Sequence, residues 1–198
     1  MRETKALFPF FTYSPLILIL IFFLALLSGC AKPPTEEIDQ AAQAIAEAKL
    51  KEADLYVEDT FKMAEAALQR ARDLVAEKEY KDAKTAAIEA DRLAKHARSM
   101  IKSNKAKMRQ DTEQMLEKVR TSIDEVKILA DKAFKKKVPL NRDDMQFFFD
   151  TWESGIVNVR DNLDKQKIRQ GFDKLVVIQK QIKHQKDNLT MLLNQKET

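Results

Sequence analysis

Side chains able to do chemistry are few in this chain of 198 residues: one cysteine, Cys30, two histidines, His96 and His184, and many scattered carboxylates. An enzyme needs a nucleophile, an acid or base and charge-stabilising groups converging in a pocket that excludes water. His96 and His184 instead sit beside lysine and glutamine, as solvated helix residues do. A metal shared between the two histidines requires helical hairpins packed about a pseudo-symmetry axis, and neither a further cysteine nor an H-E-x-x-H helix stands near to complete the ligand set. Asp143 and Asp144 form a carboxylate pair, but they follow Asn141 at a helix start, where the dipole favours negative charge. With glycine only at 29, 155 and 171 there is no phosphate-cradling loop. The chain therefore reads as non-enzymatic, with no catalytic residues, no metal and no cofactor.

The cysteine has a different meaning. Upstream of it Arg2 and Lys5 give a positive start, and Leu16 to Leu27 is an apolar run of twelve residues. Crossing a bilayer takes about 20 helical residues, so the run has the length of a secretory h-region. An uncleaved anchor is the competing reading, and Pro9 and Pro15 interrupt the longer apolar stretch it needs. The tetrad Leu27-Ser28-Gly29-Cys30 resembles the lipobox of bacterial lipoproteins: an aliphatic residue, two small residues beside the cut, and a thiol for a diacylglycerol thioether. A lone cysteine is more often a small buried hydrophobe, but Lys32-Pro33-Pro34 follows at once, and no second cysteine offers a disulfide. The resemblance implies cleavage between Gly29 and Cys30, acylation of Cys30, and a protein anchored to a membrane without spanning it. Ala31, where aspartate would favour inner-membrane retention, implies an outer-membrane lipoprotein facing the periplasm.

The elements beyond the cysteine follow from composition. Residues 30–198 carry glycine only at 155 and 171 and proline only at 33, 34 and 139, and they are rich in Ala, Lys, Glu, Gln, Leu and Met. These are strong helix formers, and no strand-type alternation is present. The fold class is all-α: antiparallel helical hairpins or a bundle. A first helix starts at a Thr35 cap and runs through Leu55, with Ile38, Ala41, Ala42, Ile45 and Ala48 on its apolar stripe. A second, capped by Asp59 or Thr60, covers Phe61 to about Ala76. A third begins at Tyr80 with Ala83, Ala87, Ala90, Ala94 and Ala97 inward, and reaches Lys137 over roughly 80 Å unless it bends at Ser103-Asn104. Val138-Pro139 breaks the chain, Asn141 caps a fourth helix to about Leu163, and a fifth runs from about Lys165 to Leu193.

An offset of 88 residues aligns Phe61 with Phe149, Arg72 with Arg160, Asp73 with Asp161 and His96 with His184, and it moves the turn and the apolar stripe along with them. A diverged duplication of a helical hairpin is expected, joined by one long connecting helix. The organisation is 1–29 signal peptide, 30–34 lipidated linker, 35–103 alanine-rich helical domain and 104–198 second helical region. Residues 30–103 hold 13 Lys or Arg against 15 Asp or Glu, and residues 104–198 hold 20 against 15. The basic excess of the second region invites anionic partners such as phospholipid headgroups or cell-wall polymers, but charges of both signs are interspersed, as on solvated helix faces, and nucleic acid is not expected as a partner of an exported chain.

Two further features bear on partners. In "MQFFFDTWESGIVNV", Phe148 and Trp152 fall on the core stripe, while Phe147 and Phe149 lie about 100° to either side, making them the candidate partner surface. Met100, Met108 and Met115 read as adaptable core.

The lipobox, the proline spacer, "LYVEDTFKMAEAAL" and "LVAEKEYKDAKTAAIEADRLAKHA" together resemble the alanine-rich helical domain of bacterial lipoproteins catalogued as domain of unknown function 4398. The matching positions are Tyr56, the Ala64/Leu68/Ala71 stripe, Tyr80, Ala83, Ala87 and Ala94, covering residues 30–103; the more aromatic and basic second half departs from the pattern. The resemblance implies a helical fold in the cell envelope and brings no catalytic residues. The expected function is a non-enzymatic envelope scaffold or adaptor, held to the membrane by lipid on Cys30 and engaging an envelope protein. A lipid- or glycan-binding module is the alternative, and a hydrolase a distant third.

Overall fold

The computed structural model describes residues 32–196, and these form six helices with no strand among them. They are α1 (Thr35–Leu50), α2 (Ala53–Tyr56), α3 (Glu58–Ala76), α4 (Tyr80–Lys135), α5 (Arg142–Asp164) and α6 (Ile168–Gln195). The axis of the molecule is α4, whose 56 residues extend about 84 Å at 1.5 Å per residue. Ion pairs give the directions of its neighbours. Glu37 with Lys84, Glu47 with Arg98 and Glu52 with Lys105 set α1 parallel to the first half of α4, and α3 returns antiparallel beside them. Glu125 with Lys186 sets α6 parallel to the second half. Between these, Lys127 with Glu153 and the Arg109 guanidinium on the Leu163 carbonyl set α5 antiparallel. Two three-helix layers thus stand end to end on one shared helix, and the boundary at 103/104 falls inside it.

That helix passes straight through Ser103-Asn104. Both polar side chains find acceptors without disturbing the backbone: Ser103 Oγ donates to the Met100 carbonyl, and Asn104 Nδ2 donates to the Tyr56 carbonyl of the neighbouring corner. Thr112, the buried polar residue of the core, is satisfied in the same way by the Met108 carbonyl.

The 88-residue offset is visible in the backbone. At the α3–α4 turn, the amides of Glu77, Lys78 and Glu79 bond the carbonyls of Asp73, Val75 and Leu74; at the α5–α6 turn, Lys165, Gln166 and Lys167 bond Asp161, Leu163 and Asn162. Lys78 and Gln166 both take left-handed φ, at 63° and 61°. Each bond and each φ recurs 88 positions on. What differs is side-chain volume: Ala87, Ala90 and Ala94 of α4 are replaced at equivalent buried places in α6 by Leu175, Ile178 and Ile182. Alanines let α3 and α4 approach closely, whereas the aromatics of α5 hold it off from α4 and it leans on α6.

Several element ends differ from the sequence reading. The first helix stops at Leu50 because Glu52 turns left-handed, with φ of 69°; the short α2 that follows swings Tyr56 and Val57 into the core and leaves Leu55 partly exposed. Burying those two side chains at the corner favours the break over one more helical turn. Neither Asp59 nor Thr60 caps the next helix, which begins at Glu58 after Val57. Thr35 lies within α1, whose N-cap is Pro34. The last helix starts at Ile168, since Lys165 to Lys167 form the turn. Asn141 does cap α5, its Oδ1 accepting from the Asp143 amide at 2.8 Å.

Candidate interaction surface

The aromatic run occupies the first two turns of α5, oriented by the Asn141 cap and by the stripe Met145, Trp152, Ile156, Val159 and Leu163, all buried. Trp152 is completely enclosed, and its Nε1 has no hydrogen-bond partner among the described residues. Phe148 stacks on its indole at 5.9 Å between ring centres, and Phe149 meets it edge-on at 5.8 Å. These distances are normal for favourable aromatic pairs. Phe149 is half-buried, packed against the core, with Lys127 Nζ 5.7 Å above its other face. Phe147 alone turns outward, 67 % exposed, touching Phe148 edge-on at 6.3 Å. The structure therefore separates the two flanking phenylalanines: one extends the core, and the other is surface.

Exposed apolar side chains that the stripe reading passed over include Leu50, Ile88, Ile128, Val157 and Val177. Ile128 was legible, because it sits opposite Val126 and Ala130 on the helical wheel. Val157 rims an open groove between α4 and α5 with Ile123 and Ile156 on its floor and Arg120, Lys127, Glu153 and Arg160 around it. A second groove, between α3 and α4, is floored by Ala66, Ala67 and Ala86 and rimmed by Arg70, Asp82 and Glu89.

The charged groups act as stitching. A hydrogen bond from Lys84 holds the Glu37 carboxyl below the ordinary range; Lys62 does the same to Glu58, and Arg92 to Glu89. Lys105 is pushed up chiefly by its hydrogen bond to Glu52, and its ammonium also lies 5.0 Å from the Tyr56 ring centre. Every one of these shifts has an ion pair as its leading cause.

His96 and His184 are both exposed and far apart. The Glu125–Lys186 pair puts His184 level with about residue 123 of α4, roughly 40 Å along the axis from His96. No cluster of three metal-ligating side chains occurs among the described residues, and none of their helices is long and apolar enough to cross a membrane. Gly29 and Cys30 lie outside the described residues. Compared with known protein families, curated proteins and solved structures, the chain finds no match.

Proposed function

We propose that this chain is a lipid-anchored, non-enzymatic scaffold of the bacterial cell envelope, carried by acyl chains on Cys30 in the outer membrane and facing the periplasm. The observation that carries the reading is the unbroken α4. It begins beside Lys32, where Lys32, Pro33, Tyr80 and Lys81 line one hollow, and it ends about 80 Å away. A chain tethered just upstream of Lys32 would present everything beyond the first layer, Phe147 included, at a fixed distance from its membrane. Two layers packed along one helix resist bending there, as a flexible linker of similar reach does not. Acylation makes the tether: each buried methylene contributes about 0.8 kcal/mol, so two or more chains hold firmly where one does not.

Intact-mass measurement of the protein recovered from envelopes tests this. The expected species begins at Cys30 and carries a diacylglycerol, and Cys30→Ala should accumulate as the unprocessed precursor. A Cys30→Ala protein that is still cleaved and acylated would refute the anchor.

A further inference from the structure

The corner where the chain enters and the α4–α5 corner at the other end of α4 carry opposite charge. At the end where the chain enters, residues 32–39 and 73–84 come together through the Glu37–Lys84 pair, and they hold seven carboxylates against four lysines. At the far end, residues 132–144 hold five Lys or Arg against two Asp. The helix dipole accounts for cations in the last turn of α4. It does not account for Arg142, the first residue of α5, where the dipole disfavours positive charge. Lys135, Lys137 and Arg142 are exposed, and the Arg142 guanidinium lies over the Phe134 ring at 4.2 Å from its centre, which holds its charge at the tip. Pro139 is exposed and Leu140 half-buried in the loop between them. The loop stands at the end of α4, away from the grooves between α3 and α4 and between α4 and α5.

We infer that this tip binds the anionic headgroups of a phospholipid surface other than the one that holds the anchor, an inference that rests on the scaffold reading above. An exposed basic loop at the end of a rod suits a flat field of negative charge better than a single peptide or sugar strand, which needs a cleft. The acidic near end is repelled by the headgroups beside it, so the same polarity that attracts the tip also holds the rod upright.

The acylated full-length protein in donor vesicles of phosphatidylcholine tests this against labelled acceptor vesicles with and without phosphatidylglycerol. Flotation before the acceptors are added shows whether the protein is anchored. If Cys30 proves unacylated, its free thiol couples the same chain to beads that offer the same tip, so anchor and tip fail separately. Capture of the phosphatidylglycerol acceptors alone is expected, abolished by raising salt from about 0.05 to about 0.5 M. The combined Lys135→Gln, Lys137→Gln and Arg142→Gln variant should weaken capture by about two orders of magnitude, while Lys81→Gln at the near end leaves it unchanged. Equal capture of uncharged acceptors, no capture, capture insensitive to the tip variant, or binding to cell-wall glycan in place of phosphatidylglycerol would each overturn the assignment.

Discussion

Replacing Gly171 by alanine should stabilise this protein, an uncommon direction for a buried position. Gly171 lies in the first turn of α6, its amide donating to the Lys167 carbonyl at 3.1 Å. A Cβ placed there meets the Val159 carbonyl oxygen at 3.4 Å, Asn162 Cβ at 3.5 Å and Leu163 Cδ2 at 3.6 Å, all ordinary contacts. The equivalent position in the first layer is Ala83, fully buried and making the same backbone bond, to Glu79. Alanine gains about 0.5–1 kcal/mol over glycine in a helix, and burying the methyl adds up to about 0.8 kcal/mol. Allowing for the close carbonyl, the net gain should be about 1 kcal/mol, a rise in melting temperature of about 2–4 °C for a chain of this size. Urea unfolding followed by circular dichroism measures it, with Ala83→Gly expected to lose a similar amount. Gly155→Ala is the contrast, because its Cβ would stand 2.6 Å from Ile178 Cδ1, inside the core. Overpacking costs about 1–3 kcal/mol, which offsets the helix gain, and adding Ile178→Val, which removes that atom, should recover the loss. A destabilised Gly171→Ala would refute the reasoning, for it would mean that α5 and α6 cross more tightly than the two layers' shared register allows.

Four helix ends place a non-glycine residue in left-handed φ, Glu52, Lys78, Lys137 and Gln166; Lys78, Lys137 or Gln166 changed to glycine should each raise stability by about 0.5–1 kcal/mol, read from the urea midpoint, and a loss would show that the side chain holds the turn. Phe147→Ser should leave stability within about 0.5 kcal/mol. Trp152→Ala should cost about 3–5 kcal/mol by emptying the core, and Trp152→Phe distinctly less, because it also removes a buried N–H that lacks a partner among the described residues. Stability should fall in acid: the carboxyls of Glu37, Glu58 and Glu89 are held below their ordinary 4.5, so their contribution is full above that pH and is lost as the pH drops through the lowered folded values. Melting temperatures unchanged from neutral pH to well below 4.5 would show these pairs to be inert.

The sequence by itself determined the all-α class, the long helix, the Asn141 cap and the turns that follow α3, α4 and α5, because these are local. Helix formers without breakers propagate, Val138-Pro139 stops them, and alanine or aliphatic spacing of three and four residues names the buried face. The 88-residue register was legible for the same reason, since periodicity and turn chemistry shift together. Tertiary structure decided what depends on neighbours. Asn104 carries a helix-breaking tendency, yet its amide finds the Tyr56 carbonyl across the corner, and α4 stays whole. The first helix has no breaker at Glu52, yet it ends there because Tyr56 and Val57 gain more by burial than another turn of helix would give. Phe147 and Phe149 are equivalent on a helical wheel, each one residue from the stripe. Packing against Trp152 and under Lys127 of α4 made Phe149 part of the core, while Phe147 stays exposed to solvent.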